Sequence, residues 1–225
     1  NYWSRQLCEP ETTRQVIITT AHIGNWELAG GCHSYYTKIP MTSIMRPLGN
    51  PKIGAYFYTR RCGFGDHETV SKEMGLRPLL LAHKKGRNIT IVADQHASSH
   101  EGVDVEYFGH PVCAHATPAL LHLKTGTPIA MPFLVRKDND FHFELSCPEP
   151  YVCKPTGNKA EDVKTIVQAY TSMIESMVRL FPDQWLWAHR RWLDCGRPGS
   201  WPRKPKKDKN AANEAGNDDK GGLRR

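Results

Sequence analysis

The chain has 225 residues, 39% hydrophobic and 24% charged, the size and make-up of one globular domain with a sizeable core. No apolar run approaches the roughly 18 residues of a membrane span. No signal peptide opens it, and seven dispersed cysteines without a C-x-x-C pair argue for reduced thiols in a cytosolic setting rather than a disulfide framework. The net charge of +7 belongs mostly to the end of the chain: from Gly196 onward nine Lys/Arg oppose four Asp/Glu (+5), which leaves +2 on residues 1–195.

The first fifteen residues are polar and irregular, and the chain starts at Asn1 with no initiator Met, as a piece of a longer protein would. Residues 16–19 form a short β-branched run that ends in small residues and then His22. A helix pattern follows from Trp26 to about residue 36. Residues 41–45 read as a second strand. It runs into a loop with two prolines and a glycine (46–51), then a helical stretch over 53–60 that ends in Arg60, Arg61, Cys62 and Gly63. A helix is expected over 72–85 with Gly86 as its stop. Residues 88–93 are nearly all apolar, as in a strand covered on both faces.

A polar loop (96–102) precedes a strand over 103–108. Thr117 and Pro118 open a helix that Gly126 closes. Strands over 128–135 and 141–147 flank a turn at 137–140, which suggests a hairpin. Residues 160–180 carry the longest helical stripe, with Val163, Ile166, Val167, Tyr170, Ile174, Met177 and Val178 on one face. Beyond about Pro198 the chain has little to bury and is expected to be disordered.

Strands alternating with helices imply an α/β fold: one domain over residues 1–195, with a mixed, mostly parallel sheet flanked by helices, and a basic tail over 196–225. Ligands gather at the carboxyl ends of such strands, so His22, Arg46, Asp94 and Gln95, all at strand exits, fall on one edge. No P-loop or dinucleotide fingerprint is present.

The stretch VIITTAHIGNWE (16–27) holds the residues best suited to chemistry. A strand that delivers His22 into a turn, with Glu27 in the next helix's first turn, is a way to build a general base whose tautomer a carboxylate holds. Gly24 and Asn25 make the turn and offer helix-start amides to an oxyanion. The spacing alone is weak, since about one His-x4-Asp/Glu match is expected by chance. Three occur: His22/Glu27, His96/Glu101 and His189/Asp194. Only His22 lies between an apolar strand and a helix.

Two rival readings stand beside this one. Asp94, His96, His100 and Glu101 fall within eight residues and could ligate the metal of a hydrolase, although Ala97, Ser98 and Ser99 between the histidines read as loop. The basic run 203–207 could grip an anionic surface or nucleic acid, but it lacks the interleaved aromatics of base stacking.

Taken in order, HIGNWE (22–27), RPLGNP (46–51), Arg60–Arg61, ADQ (93–95), EYFGHP (106–111), Pro128, Pro132 and WLWAHRR (185–191) form a series that resembles the bacterial lipid A biosynthesis late acyltransferases, the lauroyl and myristoyl transferases of the glycerolipid-acyltransferase-like superfamily. The resemblance spans roughly residues 16–192. It implies that His22 and Glu27 are the catalytic dyad, and that an acyl chain moves from an acyl carrier protein thioester to a hydroxyl of a lipid A precursor. A lipid of related kind, such as another glycolipid, is an alternative acceptor. Arg46, Asn50, Arg60, Arg61, Asp94 and Gln95 are then the substrate-binding set, the arginines suited to sugar phosphates. The resemblance implies no metal, no cofactor and no nucleic acid, and a place on the cytoplasmic face of the bacterial inner membrane. The protein is then held there peripherally, or by an N-terminal anchor of the kind family members have and residues 1–225 lack. Where many members carry an acidic or glycine-rich loop, this chain has residues 96–101 (HASSHE).

Overall fold

A computed structural model describes residues 15–192 apart from Phe64, Ser99 and Asn139. The domain boundary at 195, the basic run 203–207, Asp194 and the expected disorder past Pro198 lie outside the described residues.

Strand β1 (Ile17–Thr20) is β-branched throughout and buried along its whole length. Ile17 belongs to the larger apolar cluster and Ile18 to a smaller one with Val16, Met41, Ala130 and Cys147. The alternation means that both faces are covered, as the apolar run predicts. Helix α1 (Trp26–Thr37), β2 (Met41–Met45), α2 (Pro51–Cys62), β3 (His67–Ser71), α3 (Leu76–Lys84) and β4 (Asn88–Val92) follow. With β7 (Ile129–Ala130) the strands form a five-stranded sheet in the order β3-β2-β4-β1-β7, parallel at every pairing. The fold is an α/β domain with helices against this sheet, as the alternation of patterns implies.

Two antiparallel ribbons stand apart from the main sheet. The first, β5 (Gly102–Tyr107) with β6 (His110–His115), turns through Phe108 and Gly109, both at positive φ. Helix α5 (Lys159–Leu180) packs on β5, and its Gln168 side chain exchanges two hydrogen bonds with the Glu106 backbone, 2.8 and 3.0 Å long, which closes part of that edge. The second ribbon, β8 (Phe133–Arg136) with β9 (Phe143–Ser146), is the expected hairpin. Helix α4 (Thr117–Thr125) starts and stops at its predicted signals, with Gly126 in the left-handed conformation. The stripe on α5 is buried as read.

Four features differ from the sequence reading. The helix expected from residue 72 begins only at Leu76. Ser71 caps a 3-10 turn (Lys72–Met74), and Gly75 at φ 67° breaks the run before Pro78 takes a first-turn position that needs no amide. Strands β3 and β6 are missed: β3 is a polar strand with one buried residue, and β6 opens with exposed His110 and Pro111. The single strand expected over 128–135 splits, because Pro132 cannot extend a ladder, and β8 leaves the sheet to pair with β9.

After β1 the chain makes a tight turn. Gly24 has φ +59°, and a Cβ there would sit 2.1 Å from the Leu134 carbonyl oxygen. Its amide donates to the Gln184 carbonyl at 2.9 Å, and the Asn25 amide donates to Leu134 at 2.9 Å. Gly24→Ala is therefore expected to lower unfolding stability by about 3 kcal/mol or more, as measured by chemical denaturation, because both backbone strain and a backbone clash are introduced.

Candidate active site

The parallel pairing of β1 and β4 sets Thr20 opposite Val92. Two residues further along the same register, His22 faces Asp94. The Ala93 amide still donates to the Thr20 carbonyl at 2.8 Å, so the two strand exits leave the sheet side by side. Asp94 Oδ1 lies 2.7 Å from His22 Nδ1, while Oδ2 accepts from the His22 amide and from Trp185 Nε1–H, each at 2.9 Å. Asp94 is 1% exposed. Burial pushes its carboxyl up, but the hydrogen bonds from His22 and Trp185 and the charge on His22 outweigh it and hold the group below the ordinary carboxylate range. An ionised carboxylate only accepts. Nδ1 therefore carries a proton, and in the neutral ring the lone pair is on Nε2.

Two further rings frame the imidazole. Trp26 meets it edge-on with centroids 5.0 Å apart, and His189 lies at 4.3 Å. Burial, then the charge of His22, pushes the His189 imidazole down. Gln95 Nε2 lies 3.3 Å from its Nε2. Beneath them Arg191, 1% exposed, donates from Nη1 to the carbonyls of Gln95 (3.0 Å) and Cys113 (2.9 Å) and stacks over Tyr107. The segment 184–191 thus straps the His22 loop: Leu186 donates to the His22 carbonyl at 3.0 Å.

Glu27, in the first turn of α1, reaches a different partner. Arg61, in the last turn of α2, donates from Nε to Oε2 at 2.7 Å and from Nη2 to Oε1, a two-pronged fork. That hydrogen bonding pushes the guanidinium further up. The ring-holding role that the sequence reading gives to Glu27 therefore falls to Asp94. Between positions 22 and 27 the chain passes from strand exit through a cap into a helix, and that path carries the Glu27 carboxylate to α2.

His22, Glu27, Arg46, Arg61, Gln95 and His189 line one cleft of about 1170 Å³, whose remaining wall is largely apolar, with Met41, Ile44, Leu79, Ile91, Leu120 and Val163 among its residues. Four other expected site positions have partners or placements away from the cleft. Asn50 uses its side-chain oxygen to cap α2, accepting from the Lys52 and Ile53 amides, and is not among the residues lining the cleft. Arg60 lies over the Tyr56 ring beside a neighbouring groove and is not among the residues lining the cleft. Asp94 is sealed behind His22 and contacts no substrate space. The Gly24 and Asn25 amides are taken up by Gln184 and Leu134, which removes them as oxyanion donors.

The metal reading also fails on placement. Asp94 is committed to His22 and Trp185, and Glu101 pairs with Lys72 at 2.9 Å. Among the described residues no three His, Cys, Asp or Glu side chains converge as a metal requires. Sequence reasoning missed His189, Trp185 and Arg191 as parts of the site. Their signal was present in WLWAHRR, and His189 was one of the three spacing matches, but nothing in a linear pattern says that residue 189 returns to residue 22.

The family model described as bacterial lipid A biosynthesis acyltransferase matches residues 9–194. The chain is 24% identical over 179 residues to a lipid A biosynthesis acyltransferase of Haemophilus influenzae, a match covering 77% of this chain and 52% of that protein. It is 22% identical over 179 residues to a lipid A biosynthesis lauroyltransferase of Escherichia coli K12, covering 80% and 56% respectively. The chain thus spans about half the length of these relatives.

Asp94 also predicts a pH dependence. A carboxyl held below its unfolded value of about 3.8 contributes stability that is complete above that value and is lost as pH falls through the folded value. Asp94→Asn should lower unfolding stability by about 1–3 kcal/mol at pH 7. The gap between variant and parent should shrink as denaturation is repeated at pH values below about 4.

Proposed function

The chain belongs to the bacterial lipid A biosynthesis acyltransferase family, and from that premise we propose that it moves a fatty acyl chain from an acyl carrier protein thioester to a hydroxyl of a lipid A precursor. The observation that carries the reading is a histidine with a defined tautomer at the wall of a large, mostly apolar cleft. A buried carboxylate behind Nδ1 leaves Nε2 as the base, and a cleft of about 1170 Å³ suits an acyl chain and its acceptor.

In this mechanism His22 Nε2 takes the proton of the acceptor hydroxyl as its oxygen attacks the thioester carbonyl. The tetrahedral oxyanion collapses, the carbon–sulfur bond breaks, and the imidazolium returns the proton to the leaving thiolate. Ester and free thiol are the products. Asp94 remains ionised and stabilises the imidazolium between the two transfers. No covalent enzyme intermediate and no cofactor is required, because the thioester is already activated.

Glu27 is assigned a role through Arg61. Its carboxylate fixes the guanidinium by Nε and Nη2, and Nη1, which takes no part in that fork, is the donor assigned to the oxyanion. A preorganised donor of this kind is worth about 3 kcal/mol. Arg46 and Lys72, also in the cleft lining, suit phosphates of the acceptor. The acceptor's lipid nature puts the reaction at a membrane surface, and the family points to the cytoplasmic face of the inner membrane. No helix among the described residues is long and apolar enough to cross a membrane.

The test is transfer itself. Purified protein is incubated with a panel of acyl carrier protein thioesters and a tetra-acylated lipid A precursor, and products are weighed by mass spectrometry. His22→Ala is expected to slow transfer by about 10²–10⁴-fold with its circular dichroism unchanged. Glu27→Gln and Arg61→Ala should each slow it by about 10²-fold, and the double variant should be no worse than the singles if the pair acts as one unit. Near-parental turnover by folded His22→Ala protein would overturn the assignment.

A further inference from the structure

Helix α2 breaks the usual rule of burial. Its twelve residues include Ile53, Tyr56, Phe57 and Tyr58, yet none of its residues is buried. Ile53 is 50% exposed and Tyr56 57%. Alongside, the end of α1 presents Tyr35 and Tyr36, 50% and 62% exposed, and a groove of about 540 Å³ runs between the two helices. A helix that rests on a core turns its apolar stripe inward. Here three consecutive aromatics, 56–58, face outward, and a contiguous apolar patch of this sort marks an interaction surface.

Charge selects the occupant. The cations of the two helices and the residue that caps α1 are Lys38, Lys52, Arg60 and Arg61, and their one carboxylate, Glu27, is paired with Arg61. Two of them cover exposed rings, Lys38 Nζ at 4.5 Å from the Tyr35 centroid and Arg60 at 5.2 Å from that of Tyr56. A second copy of the chain is a poor match, since a twofold contact would set this positive face against itself. Amphipathic aromatic rings interleaved with cations suit the head-group layer of an anionic bilayer, where rings sit at the interface and cations meet lipid phosphates. The face is also continuous with the cleft: Glu27 and Arg61 line both the groove and the active site.

We infer that the α1–α2 face of this protein seats on an anionic lipid bilayer, with the aromatics of α2 in the head-group layer and the cleft opening toward the membrane. The inference deepens the reading of a lipid acceptor and rests on it for its purpose, while the surface is tested with no acyl donor present.

The full chain is co-sedimented with vesicles of phosphatidylglycerol and phosphatidylethanolamine, and separately with phosphatidylcholine vesicles. The parent should partition onto the anionic vesicles. The variant I53Q/Y56Q/F57Q keeps good helix formers at the three positions, and its thermal unfolding by circular dichroism should match the parent's. Its partition onto anionic vesicles should fall by about tenfold or more. The second variant, Lys38→Glu with Lys52→Glu, should lose about fivefold or more per cation on anionic vesicles and change little on phosphatidylcholine. A parent that stays in the supernatant overturns the inference, as does a folded triple variant or a charge variant that sediments like the parent. In the transfer assay the triple variant should act like the parent on detergent-dispersed acceptor and fall about tenfold on vesicle-borne acceptor. Absence of transfer by the parent would count against the catalytic reading alone, since vesicle binding is measured independently.

Discussion

One buried carboxylate holds the functional end of this molecule together. Asp94 receives three donors, two from His22 and one from Trp185, and so ties three separate parts of the chain together. The contact exists because β1 and β4 are parallel neighbours in register, so that equal steps past their last paired residues bring a base and an acid face to face. Leaving such a charge buried without its donors would be strongly unfavourable. The geometry of the imidazole is thus enforced by the stability of the sheet rather than by a flexible arm.

Much of this architecture is written in short-range patterns, and the failures are as informative as the successes. The β-branched run 16–19, the apolar run 88–93, the Thr-Pro start of α4, the Gly126 stop and the long stripe on α5 each express a local preference that the fold keeps. The hidden elements are those with no strong local preference. β3 (HETVS) is polar and half-covered, and β6 begins with a histidine and a proline, so neither shows the alternation that betrays a strand. The hairpin between β5 and β6 turns through a Phe-Gly pair rather than Asn-Gly, which conceals it further.

The site was legible to a similar degree. His22 could be singled out because a strand, a turn and a helix start surround it. Glu27 lay at the right spacing but faces Arg61, and its true counterpart as ring holder, Asp94, is 72 residues away. Partnership at that distance depends on strand order, which no local pattern carries. The same holds for His189 and Arg191. Chemistry-bearing residues are therefore easier to find in the sequence than their partners, and the arginines of α2 give no sign that none of that helix is buried.

The strap formed by residues 184–191 has a temporal meaning. Chains are made from the N-terminus onward, and domains fold as they emerge. Gln184, Trp185 and Leu186, which pin the His22 loop and complete the donors to Asp94, are synthesised more than 160 positions after His22. A nascent chain still short of residue 184 carries both strand exits, of β1 and β4, but lacks the contacts that fix Asp94 and the His22 loop.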